Sequence, residues 1–226
     1  MSQTIWKLSP SDFAFLWEDC KRCFYLKAKG FDRPRPLFPK IFNIIDEQMK
    51  ICFRGQRIDK LVTGIPGGTI KYSDEWVESQ LINFPALQSV CFIRGKFDSI
   101  AQFDDESYGV IDFKTSQIRE SQIDLYARQL HAYAYALENP AHGMFSCRPI
   151  SKLGLIVYEP KSFSCRVNEE AALGGDIRWL EIPLNNEAFL IFLHEVVVAL
   201  DMNKPPAPSP TCEWCRYRDK SRVTGY

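Results

Sequence analysis

The chain has few histidines, no long apolar run and no glycine-rich phosphate loop, and each lack removes a class of chemistry. His131, His142 and His194 are the three histidines among 226 residues; they show no ligand spacing and no adjoining nucleophile pattern. His131 and His194 fall in helical stretches, where a structural role is expected. No P-loop, Gly-x-Gly-x-x-Gly or Gly-x-Ser-x-Gly is present, which argues against nucleotide hydrolysis, dinucleotide redox chemistry and serine hydrolysis. Phe189 to Leu200 is apolar but broken by His194-Glu195, and it falls short of the ~18 residues that cross a membrane. The opening Met-Ser-Gln-Thr-Ile-Trp-Lys lacks the charged-then-apolar order of a secretion signal. A soluble, cytoplasmic protein with no membrane partner is expected.

With 46% hydrophobic residues, one domain over residues 1–226 is expected to bury roughly 70% of its unfolded surface. The net charge is zero but uneven. Residues 1–40 carry a net +4 and residues 201–226 a net +2, so the middle carries −6. If the two ends meet, a basic flank lies beside an acidic centre, which suits a phosphate backbone approaching a carboxylate site. Two solvated basic ends would give the same count.

The acidic centre has a focus. In Gly109-Val-Ile-Asp-Phe-Lys-Thr115 side chains alternate, so Asp112 and Lys114 share one face and Ile111 and Phe113 the other. Charges in an element built for burial cost several kcal/mol unless they pair or bind a metal. A structural Asp-Lys pair is the plain explanation. Asp98 adds a second. The strand-like runs Cys91–Phe103 and Tyr108–Thr115 flank the polar turn Asp104-Asp105-Glu106-Ser107, which predicts an antiparallel hairpin. An even loop turns Asp98 away; an odd loop or a bulge sets it beside Asp112, and this second register is expected. Two adjacent carboxylates repel unless a divalent cation lies between them, and oxygen ligands suit Mg²⁺ or Mn²⁺.

A second constellation joins the ends. Cys20-Lys-Arg-Cys23 and Cys212-Glu-Trp-Cys215 are paired thiols at opposite ends of the chain. They are most economically one four-thiolate site, holding Zn²⁺ or an iron-sulfur cluster such as 4Fe-4S. Cysteines buried in a helix, or a redox-active pair, are the alternatives. Closing nearly the whole chain into a loop would tie down both ends. Cys52, Cys91, Cys147 and Cys165 are isolated.

Between these lie further expected elements. A helix beginning at Ser9 or Ser11 carries an apolar stripe through Phe24. A helix over Ile41–Phe53 turns Ile41, Ile44, Ile45, Met49 and Cys52 inward and sets Asp46 and Glu47 beside that face. Solvent exposure is the commoner state of such carboxylates, but one of them is a candidate third metal ligand. Trp76–Ile82 reads as a strand, with Glu78 a weaker candidate ligand. A helix over Ile118–Glu138 places Gln129 and Tyr133 four apart on one face, reaching one site. Leu153–Tyr158 and Ile177–Ile182 are strands, the first entered by a strand-helix-strand crossover. A last helix spans Asn186–Leu200.

Taken in order, Cys20-x-x-Cys23, Gly95-x-x-Asp98, Ile111-Asp112-Phe113-Lys114-Thr115, Gln129-x-x-x-Tyr133 and Cys212-x-x-Cys215 resemble the PD-(D/E)XK nuclease superfamily. Their order resembles its RecB-like branch, which includes the iron-sulfur nucleases of CRISPR adaptation and helicase-nuclease complexes. The resemblance implies an α/β fold with a restriction-endonuclease-like core, a mixed central sheet flanked by helices, its N- and C-terminal segments joined by the four cysteines. It implies a metal-dependent nuclease on DNA with exonuclease or single-strand preference. In that role Asp98, Asp112 and the Phe113 carbonyl hold the ion, Lys114 orients water or stabilises charge, and Gln129 and Tyr133 position the site or contact nucleic acid. A helicase or another DNA-processing protein is the implied partner. Relatives commonly place a histidine on the helix before Gly-x-x-Asp; none precedes position 131 here, so either Asp46 or Glu47 would stand in or that ligand is missing. Relatives with clusters split their cysteines one and three, against two and two here, and Phe97 replaces the proline of the superfamily's name. A non-catalytic nucleic-acid-binding scaffold and a thiol redox protein are the competing functions.

Overall fold

The computed structural model describes residues 3–34, 38–116, 122–165 and 170–224. The chain opens with strand β1 (Ile5–Leu8) and three short helices, α1 (Pro10–Ala14), α2 (Leu16–Asp19) and α3 (Lys21–Ala28). The single helix expected here is broken at Phe15 and at Cys20, whose backbone is extended. The cause is apolar excess: Phe13, Leu16, Trp17, Cys20, Cys23, Phe24 and Tyr25 are all buried, too many for one stripe of one helix. Helix α4 (Lys40–Phe53) follows, then β2 (Gly68–Ser73), β3 (Trp76–Glu78) and β4 (Ile82–Asn83).

The central strands are β5 (Val90–Lys96), β6 (Ser99–Phe103) and β7 (Tyr108–Thr115). Cys91–Phe103 is therefore two strands, and they belong to different sheets. β5 pairs in parallel with β1 and antiparallel with β3 and β4. β6 lies between β2 and β7, and that sheet continues through β8 (Ile150–Cys165) to β9 (Ala171–Ile182). The mixed sheet is thus in two parts, and the chain passes from one to the other at Phe97-Asp98. β7 and β8 run parallel, joined through helix α5 (Ile123–Glu138) as the expected crossover requires. Helices α6 (Asn186–Asp201) and α7 (Glu213–Val223) complete the chain. Among the described residues no helix is long and apolar enough to cross a membrane.

β7 separates two cores. Val110 packs with Leu153, Leu155 and Leu130 on the α5 side, while Ile111 and Phe113 pack with Met49 and Phe53 of α4. Each such side chain contributes roughly 1.5–3 kcal/mol on burial. Helix α4 departs from its expected face: Met49 and Phe53 are buried, whereas Ile41, Ile44 and Cys52 are exposed. The contact with the sheet runs through Phe53 against Phe113, ring centroids 5.4 Å apart, so only the C-terminal half of α4 is covered.

Candidate active site and cysteine cluster

The strand period delivers the focal residues to one place. β6 and β7 pair with Ser99 opposite Ile111 and Gln102 opposite Tyr108, an odd loop, so one further step sets Asp98 opposite Asp112. Asp98 accepts a hydrogen bond from the Phe113 N–H at Oδ2, 3.1 Å, and its own carbonyl accepts from the Asp74 N–H, 3.1 Å. Asp112 is buried; its Oδ1 accepts from Gln129 Nε2 at 3.1 Å and its Oδ2 is ion-paired with Lys114. The plain Asp-Lys pair therefore forms, but other groups gather round it. Asp46, Asp98, Asp112, Phe113, Lys114 and Gln129 line one cleft of about 510 Å³.

The residue that the sequence did not single out is Lys50. Its ammonium lies 2.8 Å from Asp98, 3.0 Å from Asp46 and 3.3 Å from Asp74, and those partners outweigh its partial burial and raise its pKa. Its spacing from Asp46, one helical turn, was the available signal. Burial, then repulsion from Asp98, raises the Asp46 carboxyl. Burial raises Asp112 as well, Lys114 opposing and Asp98 adding. Lys114 is raised by Asp112 and Asp98 despite the desolvation of burial.

Tyr133 stands at the edge of this site. Its hydroxyl donates to the Lys96 carbonyl at 2.8 Å, and it lines a different cavity, of about 740 Å³, with Gly95 and Lys96. Its hydroxyl is also close enough to the Gln129 side chain, Asp112 and Asp98 for all three to act on it, so Tyr133 stands beside the Gln129 site while bonding the end of β5. Tyr133 steadies the turn that precedes Asp98. It also explains the glycine of Gly95-x-x-Asp98: a Cβ there would lie 2.7 Å from Pro10 Cδ and 3.0 Å from the Tyr133 ring. Glu78 pairs with Arg94 at 3.3 Å on the other sheet, and Glu47 is exposed. Neither lines the described cleft.

A sequence model described as the PD-(D/E)XK nuclease superfamily matches residues 57–220, which is most of the chain. The chain belongs to the PD-(D/E)XK nuclease superfamily. The match spans Asp98, Asp112, Lys114, Gln129, Tyr133 and the late cysteine pair, and leaves α4 outside it. Among solved structures, the crystal structure of SSO0001 aligns over 88% of this chain and 78% of its own, at 17% identity and a TM-score of 0.45. A search of curated proteins finds no match.

Superfamily nucleases use divalent metals, and the donors here fit one. Three carboxylates, Asp46, Asp98 and Asp112, face two ammonium groups in the cleft, an excess of negative charge. Among the described residues Asp112 Oδ2, ion-paired with Lys114, and Gln129 Oε1 are buried without hydrogen-bond partners. Buried oxygens in that state cost roughly 1–3 kcal/mol each, a cost that a hydrated cation relieves.

The four expected cysteines also converge. Cys20, Cys23, Cys212 and Cys215 are buried, with all their sulfurs within 4.8 Å of one another. Cys20 and Cys215 are 3.7 Å apart, Cys23 and Cys212 3.7 Å, and Cys23 and Cys215 3.6 Å. The ends meet around them: Lys21 pairs with Glu195, Arg22 with Asp219, and Trp6 Nε1 donates to Asp201 at 2.9 Å. Burial pushes the Cys215 thiol up to about 11 and, with its thiol neighbours, raises Cys23 further. Cys20 is lowered in spite of burial, by backbone hydrogen bonds at Ser209 and Cys23. Four buried sulfurs packed this closely can hold a metal, and they lie in the same apolar core as Trp17, Phe24 and Leu200.

Proposed function

We propose that the protein is a Mg²⁺- or Mn²⁺-dependent deoxyribonuclease of the RecB-like branch, hydrolysing phosphodiester bonds with a preference for single strands or ends, and that residues 1–226 act as one domain. The observation that carries this reading is Asp98 opposite the Asp112–Lys114 pair, with unsatisfied buried oxygens beside them. Asp98, Asp112 and the Phe113 carbonyl would hold the cation, with Asp46 as a further carboxylate. A bound divalent ion supplies a more acidic water and offsets charge on the phosphate.

The chain's own groups do the rest. Lys114, anchored on Asp112, presents a cation to the developing phosphate charge or orients the attacking water. Gln129 fixes the Asp112 carboxylate, and Lys50 does the same for Asp98. Tyr133 acts through the backbone at Lys96. At the cysteines we favour a single Zn²⁺: a tetrahedral ion with Zn–S about 2.3 Å has sulfur-to-sulfur edges of about 3.8 Å, near the separations above, whereas a four-iron cluster interposes its own irons and sulfides. The chain has no motor motif, so a helicase or other DNA-processing partner would deliver unpaired strand.

The test is cleavage of labelled single- and double-stranded DNA with Mg²⁺ or Mn²⁺, on protein of measured metal content. Wild-type cutting that falls by at least 10²- to 10³-fold in both Lys114→Ala and Asp112→Ala is the expected result. No cutting of either substrate, with DNA binding unchanged by both substitutions, overturns the nuclease and leaves the non-catalytic scaffold.

A further inference from the structure

The cleft that holds the carboxylates is walled by aromatic rings open to solvent. Phe15, Phe38 and Phe42 line it together with Tyr126, and the three phenylalanines are 48%, 65% and 37% exposed. They come as two pairs. Phe38 and Phe42 have ring centroids 5.5 Å apart; Phe15 meets Tyr126 edge to face at 5.9 Å, and the Lys114 ammonium lies 5.2 Å from the Tyr126 ring. The pairs belong to opposite layers, since α4 packs on the Phe113 face of β7 and α5 on the Asp112 face.

Exposed phenylalanine is costly and needs a reason when two pairs flank one charged floor. Resting on the nuclease reading above, we propose that these rings are stacking platforms for the unpaired bases of single-stranded DNA, one pair on each side of the scissile phosphate. Lys114 and the cation held by the carboxylates meet the backbone, and the phenylalanines meet the base faces. In a duplex each base face is covered by its neighbours, so the rings find a partner only where a strand is single or frayed. The Lys114 ammonium and a cation on the carboxylates would complement phosphate, and the ring faces accept any base, so capture is sequence-tolerant. The strand preference would then reside in the walls of the cleft, while the cutting resides in its floor.

Binding in a non-cutting Lys114→Ala background separates the two. Fluorescence anisotropy would compare a labelled single-stranded DNA, its duplex, an abasic strand of equal length and the same sequence as RNA, with Mg²⁺ present. The single strand should bind more tightly than the duplex and the abasic strand. Phe38→Ala, Phe42→Ala and Phe15→Ala should each weaken it by about 5- to 150-fold and leave abasic binding unchanged. Phe→Leu at the same sites keeps apolar bulk without the ring face and should weaken it too, which guards against a merely structural effect. If the abasic strand binds as well as the intact one, or if the phenylalanine variants bind unchanged while wild-type cutting still depends on Lys114, stacking is overturned and the nuclease stands. Absence of both binding and cutting overturns both. Tighter capture of RNA than of DNA overturns the choice of DNA, and self-association lost in Phe38→Ala and Phe42→Ala would reassign the walls to contact between copies.

Discussion

The cysteine cluster and the carboxylate cleft gather ligands in opposite ways. The cluster draws two close pairs from positions nearly 200 residues apart, Cys23 and Cys212 being separated by 189, with Arg218 donating to the Cys215 sulfur at 3.5 Å and Arg33 nearby. The cleft draws most of its groups from one hairpin and the helix after it, and its carboxylates already carry lysine partners. If the cysteines hold a metal, a site of the first kind would owe part of its assembly to that ion. A site of the second kind exists beforehand and binds for chemistry. The difference is one of energetic dependence, and it can be broken experimentally.

The largest effect is expected at the cluster. Chelation, or Cys215→Ser, should release α7 and the segment after α6 while leaving the cleft folded; structural Zn²⁺ contributes about 10–16 kcal/mol in small finger peptides, an upper bound for ends that also pack. Hydrogen exchange should show lost protection over residues 201–224 and retained protection in β6 and β7. Loss of both together would abolish the distinction. In the cleft, Lys114→Met leaves Asp112 buried without its cation, which should cost about 3–5 kcal/mol in metal-free denaturant unfolding. Added Mg²⁺ should recover part of that loss, whereas recovery by Zn²⁺ at the cysteines would blur the two sites.

The smallest effect lies at the joint between them. His131, two residues after Gln129 on α5, accepts at Nε2 from the Asn185 N–H at 2.8 Å and donates from Nδ1 to the Ala127 carbonyl at 2.7 Å. Asn185 caps α6, its side chain accepting from the Ala188 N–H, and α6 leads toward the late cysteines. Burial holds His131 below its ordinary value, the Ala127 bond opposing. The unfolded chain therefore takes up the proton first. The stability from this neutral histidine is present above about pH 6.5 and is lost as pH falls through that region toward the lowered folded value. Thermal unfolding between pH 7.5 and 5 should show the loss, and His131→Gln should flatten it.

The hairpin that brings Asp98 opposite Asp112 and the thiols of each close pair were legible because each is written locally: a polar turn between β-branched runs, and thiols one turn apart. The crossover helix and the strand it feeds followed from the same patterns. The division of Cys91–Phe103 between two sheets was not, since residues on both sides of Phe97-Asp98 are equally good strand formers. What decides it is distant: Phe97 is buried against Phe145, ring centroids 5.7 Å apart, and Tyr133 holds the Lys96 carbonyl. Lys50 escaped because a helical lysine is ordinarily solvated. The outward face of α4 was misread for a related cause: an apolar stripe announces burial, but it does not say whether a protein core or a bound strand provides it.

The distance between the two cysteine pairs also sets an order of events during synthesis. Cys20 and Cys23 leave the ribosome about 190 residues before Cys212, and at roughly 5–20 residues per second they wait about 10–40 s for their partners. The hairpin bearing Asp98, Asp112 and Lys114 is complete well before then. The candidate floor is thus synthesised first and the contact between the two ends comes last, so the ends can close only after the groups of the cleft are already out of the ribosome.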